Sequence, residues 1–222
     1  MYFLNNHHEA NIRKVIYIFM FVLSSSLYAQ NLTVGFGWGL VEFKNNVVER
    51  NNFDILSYNV DGDSKFSLAV KYRLPDKNFR FKGGYYYSEV KGNGIVRNIN
   101  PAANSIPLQV EVINNLTTIT VGLEYILEFG DFHPYLGIDM LFGLFGDAEL
   151  YRTDTQGKTR IESFPGKTKI GLGTSGGVGY SLFPGIELDL NFAYSSLNLL
   201  GKEDYEESIL TSDLTLSLYF SF

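Results

Sequence analysis

Large apolar residues recur at every second position, and the pattern appears eight times along the chain. Leu32, Val34, Phe36, Trp38 and Leu40 begin the series; Leu214, Leu216, Leu218, Phe220 and Phe222 end it. Between them lie the stretches 66–74, 79–87, 119–127, 136–144, 170–182 and 186–194. A period of two sends successive side chains to opposite faces, so each stretch reads as a strand with one apolar and one polar or small face. No helical period follows residue 30. Mean hydropathy is −0.02 despite 18 Phe and 15 Tyr, which is what interleaving apolar with polar residues produces.

The links alternate in length. Pro75-Asp76-Lys77-Asn78, Gly130-Asp131-Phe132-His133 and Pro184-Gly185 are short and rich in turn formers. Those at about 43–64, 91–115, 151–166 and 201–210 are long and polar, and read as loops. Eight strands joined by alternating short and long links predict an all-β fold: an eight-stranded antiparallel up-and-down transmembrane β-barrel. Short turns and both termini would face the periplasm, and the long loops the exterior. A soluble sandwich would turn its polar face to water. Here that face carries Gly35, Gly37, Gly39, Gly171, Gly173, Gly177 and Gly179, which suit a crowded barrel interior better than a solvated surface.

Residues 12–30 differ in kind. Arg13 and Lys14 precede an apolar run, Val15 to Leu23; small residues and Ala29 follow. This is a secretory signal pattern, dividing the chain into a cleaved segment 1–29 and a barrel domain 30–222. Of the 18 basic and 24 acidic residues, Arg13, Lys14 and Glu9 would leave with the signal, so the mature chain keeps a net negative charge. A nucleic-acid partner is therefore not expected. With no cysteine there is no disulfide, thiolate metal site or lipidated cysteine.

In this register Lys71, Arg73, Arg80, Lys82 and Lys169 face the interior, as do Glu124, Glu128, Asp139, Glu187 and Asp189; Asp213 is in the same phase. Unpaired charge in a narrow interior is costly, so these residues are expected to pair and plug the barrel. The alternative is a narrow pore for ions or small solutes.

Motifs for chemistry are weak. Gly171-Leu172-Gly173-Thr174-Ser175-Gly176 matches a dinucleotide fingerprint, but Val178, Tyr180 and Leu182 continue a strand where a helix is required. Asp61-Gly62-Asp63 lacks the further ligands of a calcium loop. Glu187 and Asp189 share a face and suit ion pairing better than acid–base work. His133, the one histidine left after the signal, lies in a short turn, away from any serine at the outer rim. Trp38 and Tyr85-Tyr86-Tyr87 suit an interfacial girdle. No catalytic, cofactor or metal site is expected.

The terminal strand, with Phe222, Phe220, Leu218, Leu216 and Leu214 at alternate positions, resembles the signal by which barrels are assembled into the Gram-negative outer membrane. The mature chain is similar to the OmpA-like and OmpX-like family of small eight-stranded barrels, the outer membrane protein β-barrel domain. That resemblance implies outer-membrane lipid and the barrel-assembly machinery as partners. The resemblance speaks to fold and place more than to activity; the function expected is a non-enzymatic, closed or plugged membrane anchor whose long loops contact extracellular or envelope partners. The alternatives are the pore and an accessory subunit of a secretion or surface-assembly complex.

Overall fold

A computed structural model describes residues 31–75, 77–99, 107–154, 157–200, 202–203 and 205–222. The expected signal segment, 1–29, lies outside the described residues. Among those described, every regular element is a strand: β1 (Leu32–Phe43), β2 (Val47–Arg50), β3 (Asp54–Tyr58), β4 (Asp63–Arg73), β5 (Phe79–Asn98), β6 (Leu108–Ile126), β7 (Phe132–Phe145), β8 (Ala148–Asp154), β9 (Gly157–Phe164), β10 (Thr168–Phe183), β11 (Ile186–Leu200) and β12 (Leu210–Ser221).

Eight of these close into a ring. The order β5-β4-β1-β12-β11-β10-β7-β6 is completed by antiparallel pairing of β5 with β6. The seam between first and last strand is continuous from Thr33 opposite Ser221 to Phe43 opposite Thr211. Closure leaves no unpaired edge at membrane depth, which a lipid-embedded sheet requires. The turn between β10 and β11 is as tight as the sequence suggests: Gly185 adopts φ +81°, a left-handed conformation that glycine reaches without strain, whereas Phe132 and His133, expected in a turn, open β7 instead.

The barrel's sidedness follows from the alternation. Outward residues are large and apolar, and they are exposed: Leu136 by 73%, Ile138 by 65% and Trp38 by 60%. A belt of this extent cannot face water in a stable monomer; its solvent is hydrocarbon. Rings mark the short-turn end, where Phe79 meets Tyr125 at 5.2 Å and Phe132 meets Tyr180 at 4.8 Å between centroids. Inward residues are small or polar because the lumen is narrow. A Cβ on Gly35 would overlap the Tyr219 ring, so glycine there is what lets that tyrosine lie inside.

At the opposite end the sequence expectation needs correction. The links 43–64 and 151–166 are not simple loops but hold the hairpins β2–β3 and β8–β9, and most of 91–115 is strand, since β5 runs for 20 residues and β6 for 19. β3 pairs with the end of β5, and β8 with the end of β6. A six-stranded sheet, β2-β3-β5-β6-β8-β9, therefore stands above the barrel.

Candidate functional site

The barrel's charged interior lies along alternate positions of β4, β5, β6, β7 and β11. Lys71 Nζ reaches across the lumen to Asp189 at 2.9 Å, and lies 3.8 Å from Glu124. Arg80 Nε donates to Glu124 at 2.6 Å. Lys82 Nζ donates to Asp139 at 2.9 Å and stands 3.5 Å from Glu124. Ser175 Oγ donates to Asp139 at 3.0 Å, and the Tyr135 hydroxyl to Asp189 at 2.8 Å. Lys71, Arg80 and Lys82 thus meet Glu124, Asp139 and Asp189, three cations against three anions, and all six are buried. Lys71 Nζ also sits 4.2 Å over the Tyr219 ring and 4.8 Å over Tyr135. Charge balance, hydrogen bonds and ring faces together offset the desolvation of such a cluster.

Toward the periplasm the cluster thins into a vestibule of about 260 Å³, where Glu187 lies between Arg80 (3.6 Å) and His133 (3.1 Å). Two residues expected inside sit elsewhere: Arg73 and Glu128 pair with each other, but at the rim, partly exposed, because β4 and β6 are ending there. Lys169 is buried yet separate from the cluster. It lies at the outer end of β10 and binds Glu206 of the 201–209 link at 2.5 Å. A further interior pair, Lys65 with Asp213 at 3.1 Å, lies between the cluster and the outer end. Lys65 is in phase with Lys71, so starting β4 at Asp63 rather than Phe66 finds it.

Above this level the barrel wall turns inside out. Along β5 the outward residues change from Phe79, Phe81, Tyr85 and Tyr87 to Glu89, Lys91, Asn93 and Arg97, while the inward ones change from Arg80, Lys82 and Tyr86 to Val90 and Val96. Along β6, Val110 and Val112 replace Thr118, Thr120 and Glu124 on the inside. The change marks where lipid gives way to water: outside hydrocarbon, apolar residues again belong inside. The inward apolar side chains meet in one core of Val41, Phe43, Leu56, Val112, Leu150 and Phe164 with their neighbours, at the outer end of the barrel.

One carboxylate is buried beside this core. Glu49 on β2 is buried; the Tyr58 hydroxyl donates to its Oε1 at 2.9 Å, and Asn114 Nδ2 approaches at 3.4 Å. Its Oε2 has no hydrogen-bond partner. Burial pushes the Glu49 carboxyl up to about 7, against the opposing effects of the Tyr58 hydrogen bond and of Lys167 and Lys169.

The weak motifs are absorbed by the fold. The 171–176 run lies within β10, paired on both sides, with no helix after it. Asp61 is fixed through its backbone amide to Lys91, and an Asp63 carboxylate oxygen accepts from the Ser64 amide at 2.6 Å.

A closed antiparallel barrel with a lipid-facing belt and a polar lumen is the architecture of an outer-membrane protein. The chain belongs to the outer membrane protein β-barrel domain family, whose model matches residues 16–222, and it resides in the Gram-negative outer membrane. Among solved structures it is similar to Neisserial surface protein A, at 16% identity over 86% of this chain and 97% of that one, with a TM-score of 0.54. It is also similar to Ail, the attachment invasion locus protein of Yersinia pestis (11% identity, 87% and 99% coverage, TM-score 0.48), and to the outer membrane protease OmpT from Escherichia coli (10%, 88% and 98%, 0.48). These are likenesses of fold. No curated protein matches the chain.

Proposed function

We propose that the protein is a non-enzymatic, closed outer-membrane anchor that holds a folded extracellular β platform as a surface for contact. The observation that carries this reading is the filled lumen. Between the vestibule and the apolar outer core, two interior voids among the described residues hold about 40 and 10 Å³, room for a few waters each at most. An ion path would require the Lys71–Asp189 and Lys82–Asp139 contacts to separate and the outer core to open. The platform, by contrast, is structured strand, and its cost of ordering is met in folding rather than on binding.

The same geometry supports a role without catalysis. His133 is tied to Glu187 in the periplasmic vestibule, and the hydroxyls that line that space, Thr33, Ser181 and Ser221, make no hydrogen bond to it among the described residues. A serine there lacks the base that activates a nucleophile. Liposome swelling tests the closed reading. Proteoliposomes carrying the folded barrel should swell in isotonic arabinose no faster than empty ones, with heat-shifted gel migration showing that the barrel is folded. Fast swelling would refute it.

A further inference from the structure

The outward face of the platform carries a groove of about 970 Å³ that crosses β3, β5, β6 and β8. Register sets its lining: Ser57 lies beside Ile95, Ile95 beside Gln109, and Asn93 beside Glu111, which is itself beside Tyr151. We infer that this groove binds an oligosaccharide, a chain of sugar rings rich in hydroxyls with an anionic group at one position, and that this is the contact the platform exists to make. The inference rests on the anchor reading above and gives its surface a ligand class.

Three features point to sugar. The first is amide density. The side chains of Asn93 and Gln109 have no hydrogen-bond partner among the described residues, and the Asn59 carbonyl oxygen is fixed by the Asn93 backbone amide at 3.2 Å. A primary amide presents a donor and an acceptor in one plane, which matches a hydroxyl that both gives and takes a hydrogen bond. The second is the floor. Ile55 and Ile95 are partly buried between these amides, an apolar strip on which the C–H face of a sugar ring can rest. The third is charge. Arg97 is exposed and has no ion pair among the described residues, whereas Glu111 is neutralised by Lys158 at 2.7 Å. One open guanidinium suits one carboxylate or phosphate, held bidentate.

Other classes fit less well. A single open cation is too little for a nucleic acid backbone. An extended peptide would dock by strand addition, yet β3, β5, β6 and β8 are each paired on both sides at the groove. The place is right for sugar. Residues 93–97 lie six to ten positions beyond Tyr87 of the lipid belt on the same outward face, roughly 15–25 Å above it, so the groove looks over the membrane surface. The sugar headgroup of an outer-leaflet glycolipid and a free extracellular polysaccharide share this chemistry.

The test uses the full folded barrel in nanodiscs and three soluble probes: a glucuronate-terminated tetrasaccharide, maltotetraose, and the delipidated core oligosaccharide of lipopolysaccharide. Calorimetry and amide chemical shifts are read for the wild type and for Asn93→Leu with Gln109→Leu, and Arg97→Ala. All three positions face outward on the surface, and gel heat-shift confirms folding of each variant. Saturable binding with shifts on β5 and β6 is expected. The amide double variant should weaken every probe by about tenfold or more, and Arg97→Ala only the anionic ones. Preference for the core oligosaccharide identifies the glycolipid source; preference for the glucuronate probe identifies free polysaccharide. Absence of saturable binding by any probe at millimolar concentration, or binding unchanged in the variants, overturns the inference. That result leaves the anchor reading standing, since swelling and conductance test it separately.

Discussion

Lys71 Nζ lies 2.9 Å from the Asp189 carboxylate, spanning the lumen between strands β4 and β11, which are not neighbours in the sheet. The two residues tie opposite walls of the barrel through its centre. Lys71→Met removes one charge from a balanced, buried set and leaves Asp189 with only its Tyr135 bond. The loss should be about 3–5 kcal/mol of unfolding free energy. The double variant Lys71→Met, Asp189→Leu should recover part of it. Urea titrations of the two single variants and the double variant in lipid, closed as a double-mutant cycle, measure the coupling.

Glu49 should make the core at the outer end of the barrel sensitive to pH. Burial pushes the Glu49 carboxyl up to about 7 from the ordinary 4.5. The folded state therefore holds the proton more tightly, and ionising the group costs stability. That cost is absent below about pH 4.5, grows as pH rises, and is complete above about 7, at most on the order of 3 kcal/mol. Glu49→Gln keeps an acceptor for Tyr58 and should flatten the profile. Unfolding of wild type and variant compared at pH 5 and 8 reads this directly; parallel profiles would contradict it.

The core at the outer end is ordinary apolar packing. Leu150 and Phe164 are fully buried on the hairpin β8–β9. Phe164→Ala should open a cavity and cost about 3–5 kcal/mol of local stability. Limited proteolysis should then cut the β8–β9 hairpin first, while the membrane-embedded strands stay protected.

Phe220 stacks on Phe36 at 6.2 Å across the seam where β12 meets β1. Removing Phe222 leaves nearly all of this pairing intact, so the refolded protein should keep its stability in detergent. Assembly in cells should fall several-fold if the terminal aromatic is read by the assembly machinery. Outer-membrane levels of the truncated chain set against its unfolding midpoint separate the two effects.

The barrel was legible because lipid and lumen impose opposite demands on alternate residues, and eight strands repeat the pattern. The same rule made Lys71, Arg80, Lys82, Glu124, Asp139 and Asp189 visible as interior residues. It misled where its premise ended. Above the membrane Val90, Val96, Val110 and Val112 turn inward, so the alternation persists with its meaning reversed, and those stretches read as polar loop. Arg73 and Glu128 keep the interior phase but lie past the narrow section. Glu206, the partner of Lys169, is on an irregular link with no period to reveal it. Tyr135, which bonds Asp189, lies one residue outside the run that marked β7.

The most direct test of the closed barrel is single-channel recording from the refolded chain in a planar bilayer. A silent membrane is expected, with Lys71→Met and Glu124→Gln silent as well, because the apolar outer core remains when the charges are changed. Discrete, reproducible openings of the wild type, altered in size by Glu124→Gln, would contradict it and make the charged lumen a conduction path.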